Sequence, residues 1–215
     1  MRLRLSALTG PLLTGLFLLT LAQASLAQVA ERNTSQPVPT AQANKIEVVE
    51  VFGYWCIHCA QFRQQLEDWA EAQPDDVVLK LIPAVFSGGV EDELARAFYA
   101  AEAMAVLDKV HAPLFNAVAV ERRVRDREGI LATVAGAGVD REQFAATMDS
   151  FSVRSKANQA KSLMPRYGVG VTPSLIIEGK TILEPSTGGF DALLRRAEAL
   201  IADARQSRST AEPTP

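Results

Sequence analysis

The chain of 215 residues holds two cysteines, and both belong to one short motif, Cys56-Ile57-His58-Cys59. Thiols paired at this spacing interconvert with a disulfide by exchange, and the species that reacts is the thiolate. An apolar, β-branched run precedes the motif and a helical pattern follows it, so Cys56 is expected at a helix N-terminus. There the unpaired amides of the first turn amount to about half a positive charge and favour an ionised sulfur. His58 adds donors from the same loop, whereas Ile57 offers nothing electrostatic. Cys59 falls one turn deeper. The expected division is Cys56 as the exposed partner of substrate and Cys59 as the buried one.

Three other uses of such a pair compete with exchange. A structural bridge here would close a loop of about four residues, for which chain entropy supplies only about 2 kcal/mol. Zinc normally takes four nitrogen or sulfur ligands, and beyond the thiols only His58 and His111 are available. Covalent haem attachment needs a histidine straight after the second cysteine, where this chain has Ala60. Redox exchange is the reading that remains: a substrate thiolate attacks the Cys56 sulfur of the disulfide, and a second substrate thiolate resolves the mixed disulfide.

The elements that must position this motif are legible around it. Residues 46–52 (IEVVEVF) read as a buried strand broken by Gly53, and Phe62, Leu66 and Trp69 fall on one face of the helix that follows. Pro74-Asp75-Asp76 turns the chain into a second strand, 77–82, and Ser87-Gly88-Gly89 marks a boundary. Helical spacings then replace strands, as in Leu94, Phe98, Ala101 and Ala105; Asp140 with Gln143 resembles a capping box. Four to five short helices are expected over 90–162. Strands return at 174–178 and 180–183 around Gly179, followed by an amphipathic helix over 190–204. Pro165 predicts a kink near the end of its helix.

The first 27 residues form an address label. Arg2 and Arg4 precede a leucine-rich stretch from Pro11 to Ala22, and Ala24-Ser25-Leu26-Ala27 places small residues at a cleavage site. That is the pattern of a secretory signal peptide; the apolar core has roughly half the 20 or so residues a spanning helix needs. Net charge is −3 overall, with no cluster of Lys or Arg, which gives no support for nucleic acid or an anionic membrane as partner. Exported proteins meet an oxidising compartment, where cysteines usually serve as structural bridges. A lone Cys-x-x-Cys departs from that usage.

Phe52-Gly-Tyr-Trp-Cys-Ile-His-Cys59, entered from a strand and continued by a helix, resembles the active site of DsbA-type thiol:disulfide interchange proteins. Tyr167-Gly-Val-Gly-Val-Thr-Pro-Ser-Leu-Ile-Ile-Glu-Gly-Lys180 resembles the family's second landmark, and Phe86-Ser-Gly-Gly89 its entry into an inserted domain. The resemblance implies an α/β, thioredoxin-like fold with an inserted all-helical subdomain. Its divisions are a signal peptide (1–27), a flexible lead-in (28–44), the thioredoxin-like domain in two parts (45–89 and 163–204), the helical insert (90–162) and a disordered tail (205–215).

It further implies that Cys56 is the nucleophile, Cys59 the resolving cysteine and Pro173 a cis-proline beside the disulfide, with Trp55, Thr172 and Pro173 meeting substrate. Glu50, six residues before Cys56, matches an acidic residue that assists proton movement; the competing reading is a solvent-facing glutamate at a sheet edge. The family needs no cofactor beyond its redox-active disulfide. Its partners are unfolded exported proteins with free cysteines and a DsbB-type membrane quinone reductase that re-oxidises the pair, and a periplasmic monomer is expected. Ile57 stands where many members have proline, and Thr172 resembles the disulfide isomerases as much as the oxidases. An isomerase or reductase kept reduced, and a peptide-binding holdase, are the alternatives. Isomerases of the DsbC type carry an N-terminal dimerisation domain, for which the roughly 18 residues between the expected cleavage site after Ala27 and the first strand leave no room.

Overall fold

The computed structural model describes residues 30–34 and 44–211; the signal peptide expected over 1–27 lies outside them. Strand β1 (Ala30–Asn33) is followed by β2 (Ile46–Phe52), helix α1 (Ile57–Glu71) and β3 (Val77–Pro83). Five helices come next: α2 (Val90–Ala103), α3 (Leu107–Phe115), α4 (Arg127–Gly136), α5 (Arg141–Met148) and α6 (Phe151–Tyr167). A π-helical turn, Asn116–Val120, continues α3. The chain closes with β4 (Ser174–Ile177), β5 (Thr181–Glu184) and α7 (Gly189–Ala211).

The strands form one sheet in the order β1-β5-β4-β2-β3, in which only the β2–β3 pair is parallel. Central β2 is buried along its whole length because both faces of the sheet are covered. Alternation divides its side chains: Ile46 and Val48 pack with Phe62, Leu66, Leu193 and Ile201 of α1 and α7, while Val49 and Val51 pack with Leu163 and Met164 of α6. Phe52, at the end of β2, joins the core of the helical block through Phe98, Leu114 and Phe115. The mouth of the strand that carries the cysteine motif is thus sealed by the inserted helices.

Both ends of the described chain are more ordered than the sequence suggests. Within the segment read as a flexible lead-in, Ala30–Asn33 pairs antiparallel with β5, and Glu31 and Arg32 form ion pairs with Arg196 and Glu184. Its AERN sequence has no apolar alternation; backbone pairing and charge hold it. In place of a loose tail from residue 205, α7 continues to Ala211, anchored by a two-pronged Arg205–Asp76 contact and by Arg208 on Glu178. Helix α6 likewise runs through Pro165 to Tyr167, because a proline in the last turn forfeits one hydrogen bond only. Gly168 then ends it in the left-handed conformation, φ 74°, with its N–H on Met164 O, and directs the chain toward residue 173.

Candidate active site

Cys56 is the N-cap of α1. Its N–H donates to Gly53 O at 2.9 Å, its carbonyl takes the first helical hydrogen bond from Ala60, and its side chain accepts the N–H of Cys59 at 3.2 Å. A sulfur therefore occupies the place usually held by a serine or aspartate oxygen, facing amides with no partner inside the helix. The two thiols are unlinked in this structure. Cys56 is the more open, yet only 7% exposed against 0% for Cys59. The expected exposed cysteine is thus recessed, because the Thr172–Pro173 loop closes over it.

That loop comes from the opposite end of the sequence. The Thr172–Pro173 peptide is cis, and Thr172 O lies 3.3 Å from Cys56 Sγ, near enough to accept from the protonated thiol. The Cys56 pKa is lowered to about 6. The hydrogen bond from the Cys59 thiol is the largest cause; burial opposes it, and the Thr172 side chain and then the amides of Cys59 and His58 add to it. Cys59 is driven the other way, far above the ordinary thiol value, first by burial and then by Cys56 and the charge of Glu50. One sulfur is built to hold a negative charge and its neighbour to keep a proton.

Glu50 sits on β2 between β3 and β4, paired with Leu81 and Leu175, which removes the sheet-edge reading. It is buried, and its Oε1 makes no hydrogen bond among the described residues. Burial first, then the negative charges of Cys56 and Glu67, raise its pKa to about 8, so it is protonated at neutral pH. His58 is exposed and its ring meets Gln61 Oε1 at 3.3 Å; what it supplies to Cys56 is its backbone amide.

A groove of about 480 Å³ opens next to the motif, lined by His58 and by Val171, Thr172, Pro173, Glu184 and Phe190. Around the motif Trp55, Ile57, Phe86 and Val171 expose large apolar surface, and the Trp55 and Phe86 rings meet edge-on at 6.0 Å. Of these only Trp55 was expected at the site. The others carry no sequence signal, since an apolar residue in a loop reads as core until its exposure is seen. A cavity of similar size lies between β3, α2 and α6, lined by neither the motif nor the Thr172–Pro173 loop. Among the described residues no group of three or more His, Cys, Asp or Glu is arranged to hold a metal ion.

Nothing in the sequence joins Tyr54 to His111, which the fold brings together behind the motif. The Tyr54 hydroxyl meets His111 Nδ1 at 2.7 Å, buried among Phe52, Phe98 and Phe115. Spacing alone could not pair residues on different elements.

Residues 47–193 match the family described as DSBA-like thioredoxin domain. The thiol:disulfide interchange protein DsbA of Bordetella parapertussis is 35% identical over 190 residues, which is 86% of this chain and 90% of that protein. Its counterpart in Pseudomonas aeruginosa is 37% identical over 169 residues, 78% of this chain and 80% of the other. The crystal structure of Pseudomonas aeruginosa DsbA superposes with a TM-score of 0.78 at 34% identity, covering 83% of this chain and 94% of that one. The DsbA oxidoreductase of Xylella fastidiosa gives 0.75 at 32%, covering 82% and 95%.

Proposed function

The chain belongs to the DSBA-like thioredoxin domain family, and from that premise we propose that it is a periplasmic thiol:disulfide oxidoreductase that donates the Cys56–Cys59 disulfide to newly exported proteins. The observation that carries this reading is the position of Cys56 Sγ at the N-cap of α1, accepting the Cys59 amide at 3.2 Å, with its pKa lowered to about 6. A sulfur stabilised as thiolate is a good leaving group, and a disulfide made with it is readily given up.

The exchange proceeds in two displacements. A client thiolate attacks Cys56 Sγ, the Cys56–Cys59 bond breaks, and Cys59 takes the electron pair. Cys59 favours its protonated form, and Glu50, buried and protonated near neutrality, is suited to supply that proton. A second client thiolate then attacks the client sulfur of the mixed disulfide, and Cys56 leaves as thiolate. The client is oxidised, the pair reduced, and the pair itself is the electron carrier. Trp55, Thr172 and Pro173 line the surface where an extended client would lie, and the apolar rim favours unfolded chains over folded ones.

The remaining assignments follow the same reading. Residues 1–27 direct export and are removed, residues 90–162 form an insert in a thioredoxin-like domain, and the protein works as a monomer. A DsbB-type membrane partner takes the electrons. Equilibration of the pair with glutathione at several ratios tests the proposal: a potential well above that of cytosolic thioredoxin is expected, and one close to it would overturn the oxidase reading. Cys56→Ser is expected to abolish disulfide donation. Retained donation would make the protein a holdase with incidental thiols.

A further inference from the structure

One buried titratable group has no part in the exchange just described. His111 of α3 is 6% exposed and packs against Phe52 and Phe115 at ring-centroid distances of 5.3 and 5.0 Å. Its Nδ1 lies 2.7 Å from the Tyr54 hydroxyl. The charged groups that act on the pair are Arg63 of α1, on the histidine, and Glu102 of α2, on the tyrosine. Burial, aided by Arg63, lowers the histidine pKa to about 3, and burial raises that of Tyr54 well above its ordinary value. Both rings are therefore neutral at working pH. With both rings neutral, one proton lies between the Tyr54 oxygen and His111 Nδ1, and the imidazole tautomer fixes which of the two donates it.

The position of Tyr54 gives this hydrogen bond its consequence. Tyr54 lies in the three-residue loop between β2 and Cys56, one residue beyond Gly53, whose carbonyl takes the Cys56 N–H. The Tyr54 ring also packs against Phe52 at 5.1 Å and Phe115 at 4.9 Å between centroids. Apolar packing is non-directional and tolerates sliding; a hydrogen bond in a low-dielectric interior fixes both distance and angle.

We propose that the Tyr54–His111 hydrogen bond positions the redox centre: by tying the Gly53–Trp55 loop to α3 it holds Cys56 at the N-cap of α1, with its sulfur on the Cys59 amide. The helical insert then sets the acidity of a cysteine that it does not itself carry. The inference rests on the oxidoreductase reading, deepens it, and makes Tyr54 and His111 positioning residues rather than catalytic ones.

Thiolate absorbance of the reduced protein, followed against pH, tests it in four variants: Tyr54→Phe, His111→Leu, the double variant and His111→Gln. Tyr54→Phe keeps the ring and its packing, so a folded protein is retained. The ionisation constant of Cys56 is expected to fall by about threefold to fivefold in each single variant, the equivalent of roughly one net hydrogen bond. The double variant is expected to fall no further, since both changes remove the same interaction. Glutamine at 111 restores a hydrogen-bonding partner, donor or acceptor, for the Tyr54 hydroxyl and should recover most of the loss, and the glutathione equilibrium should shift in parallel. Variants that melt earlier yet titrate like the parent would overturn the proposal and leave the pair a packing contact. A parent protein whose Cys56 ionises like an ordinary thiol would overturn both this inference and the function on which it rests.

Discussion

The amide of Cys59 reaches the sulfur of Cys56 at 3.2 Å, and with the hydrogen bond from its own thiol, the larger cause, the second cysteine of the motif holds the first in its charged form while remaining buried itself. Asymmetry between the two sulfurs is therefore built from three residues of local geometry. What magnifies it comes from elsewhere: Thr172 on one side and Glu50 beneath.

Alkylation of the reduced protein should report this asymmetry directly. Modification of Cys56 is expected to follow a titration with its midpoint near pH 6, while Cys59 stays unmodified until the protein unfolds. Mass spectrometry of the labelled peptides at pH 5, 7 and 9 checks it; equal labelling of both cysteines at pH 7 would contradict the assignment.

Lowering a thiol pKa on folding stabilises the reduced protein in a defined window. The folded value of about 6 lies below the unfolded value of 9.0, so the stabilisation is complete above pH 9 and is lost as pH falls toward 6 and below. At pH 7 about 1 kcal/mol of it remains, after allowance for solvent near the sulfur. The oxidised protein has no such thiol. Denaturant unfolding of both forms should show the reduced form losing roughly that amount relative to the oxidised one between pH 7 and pH 5.

Glu50 carries the opposite sign. Its folded pKa of about 8 exceeds the ordinary 4.5, so its contribution is fully present below pH 4.5 and lost as pH rises through 8. Glu50→Gln, which stays neutral, is expected to unfold at higher denaturant than the parent at both pH 6 and pH 9, and the gain at pH 9 should exceed that at pH 6 by on the order of 2 kcal/mol. If Glu50 supplies the Cys59 proton, the same variant slows mixed-disulfide formation with a model peptide by about tenfold or more at pH 7, measured by stopped flow.

Gly53 leaves room for Trp55. A Cβ at position 53 would stand 2.6 Å from Trp55 Cε2 and 2.8 Å from Cζ2, so Gly53→Ala must push the indole off its place beside Phe86. The expected result is a client KM raised about threefold to tenfold, the worth of roughly 1 kcal/mol of apolar contact, with the Cys56 titration unmoved. A shift in that titration would show instead that the loop backbone had moved.

Much of this protein is legible along the chain because the signals are local. The β-branched run before Gly53, the helical spacing of Phe62, Leu66 and Trp69, and the cysteine pair at their junction depend on neighbours a few residues apart. The helix and the N-cap follow from that register, and so does the tendency of Cys56 to ionise. Strand β1 and the last turns of α7 escaped notice because ion pairs and backbone pairing with residues 150 or so positions away, rather than apolar periodicity, keep them in place. Folding alone brought Thr172 and Pro173 over a sulfur 116 residues distant, set Glu50 in a central strand instead of at an edge, and joined Tyr54 to His111. Desolvation is the reason these had to wait: a carboxyl, a thiol or an imidazole takes its acidity from what surrounds it in space, and a one-dimensional string does not say which groups will exclude the water.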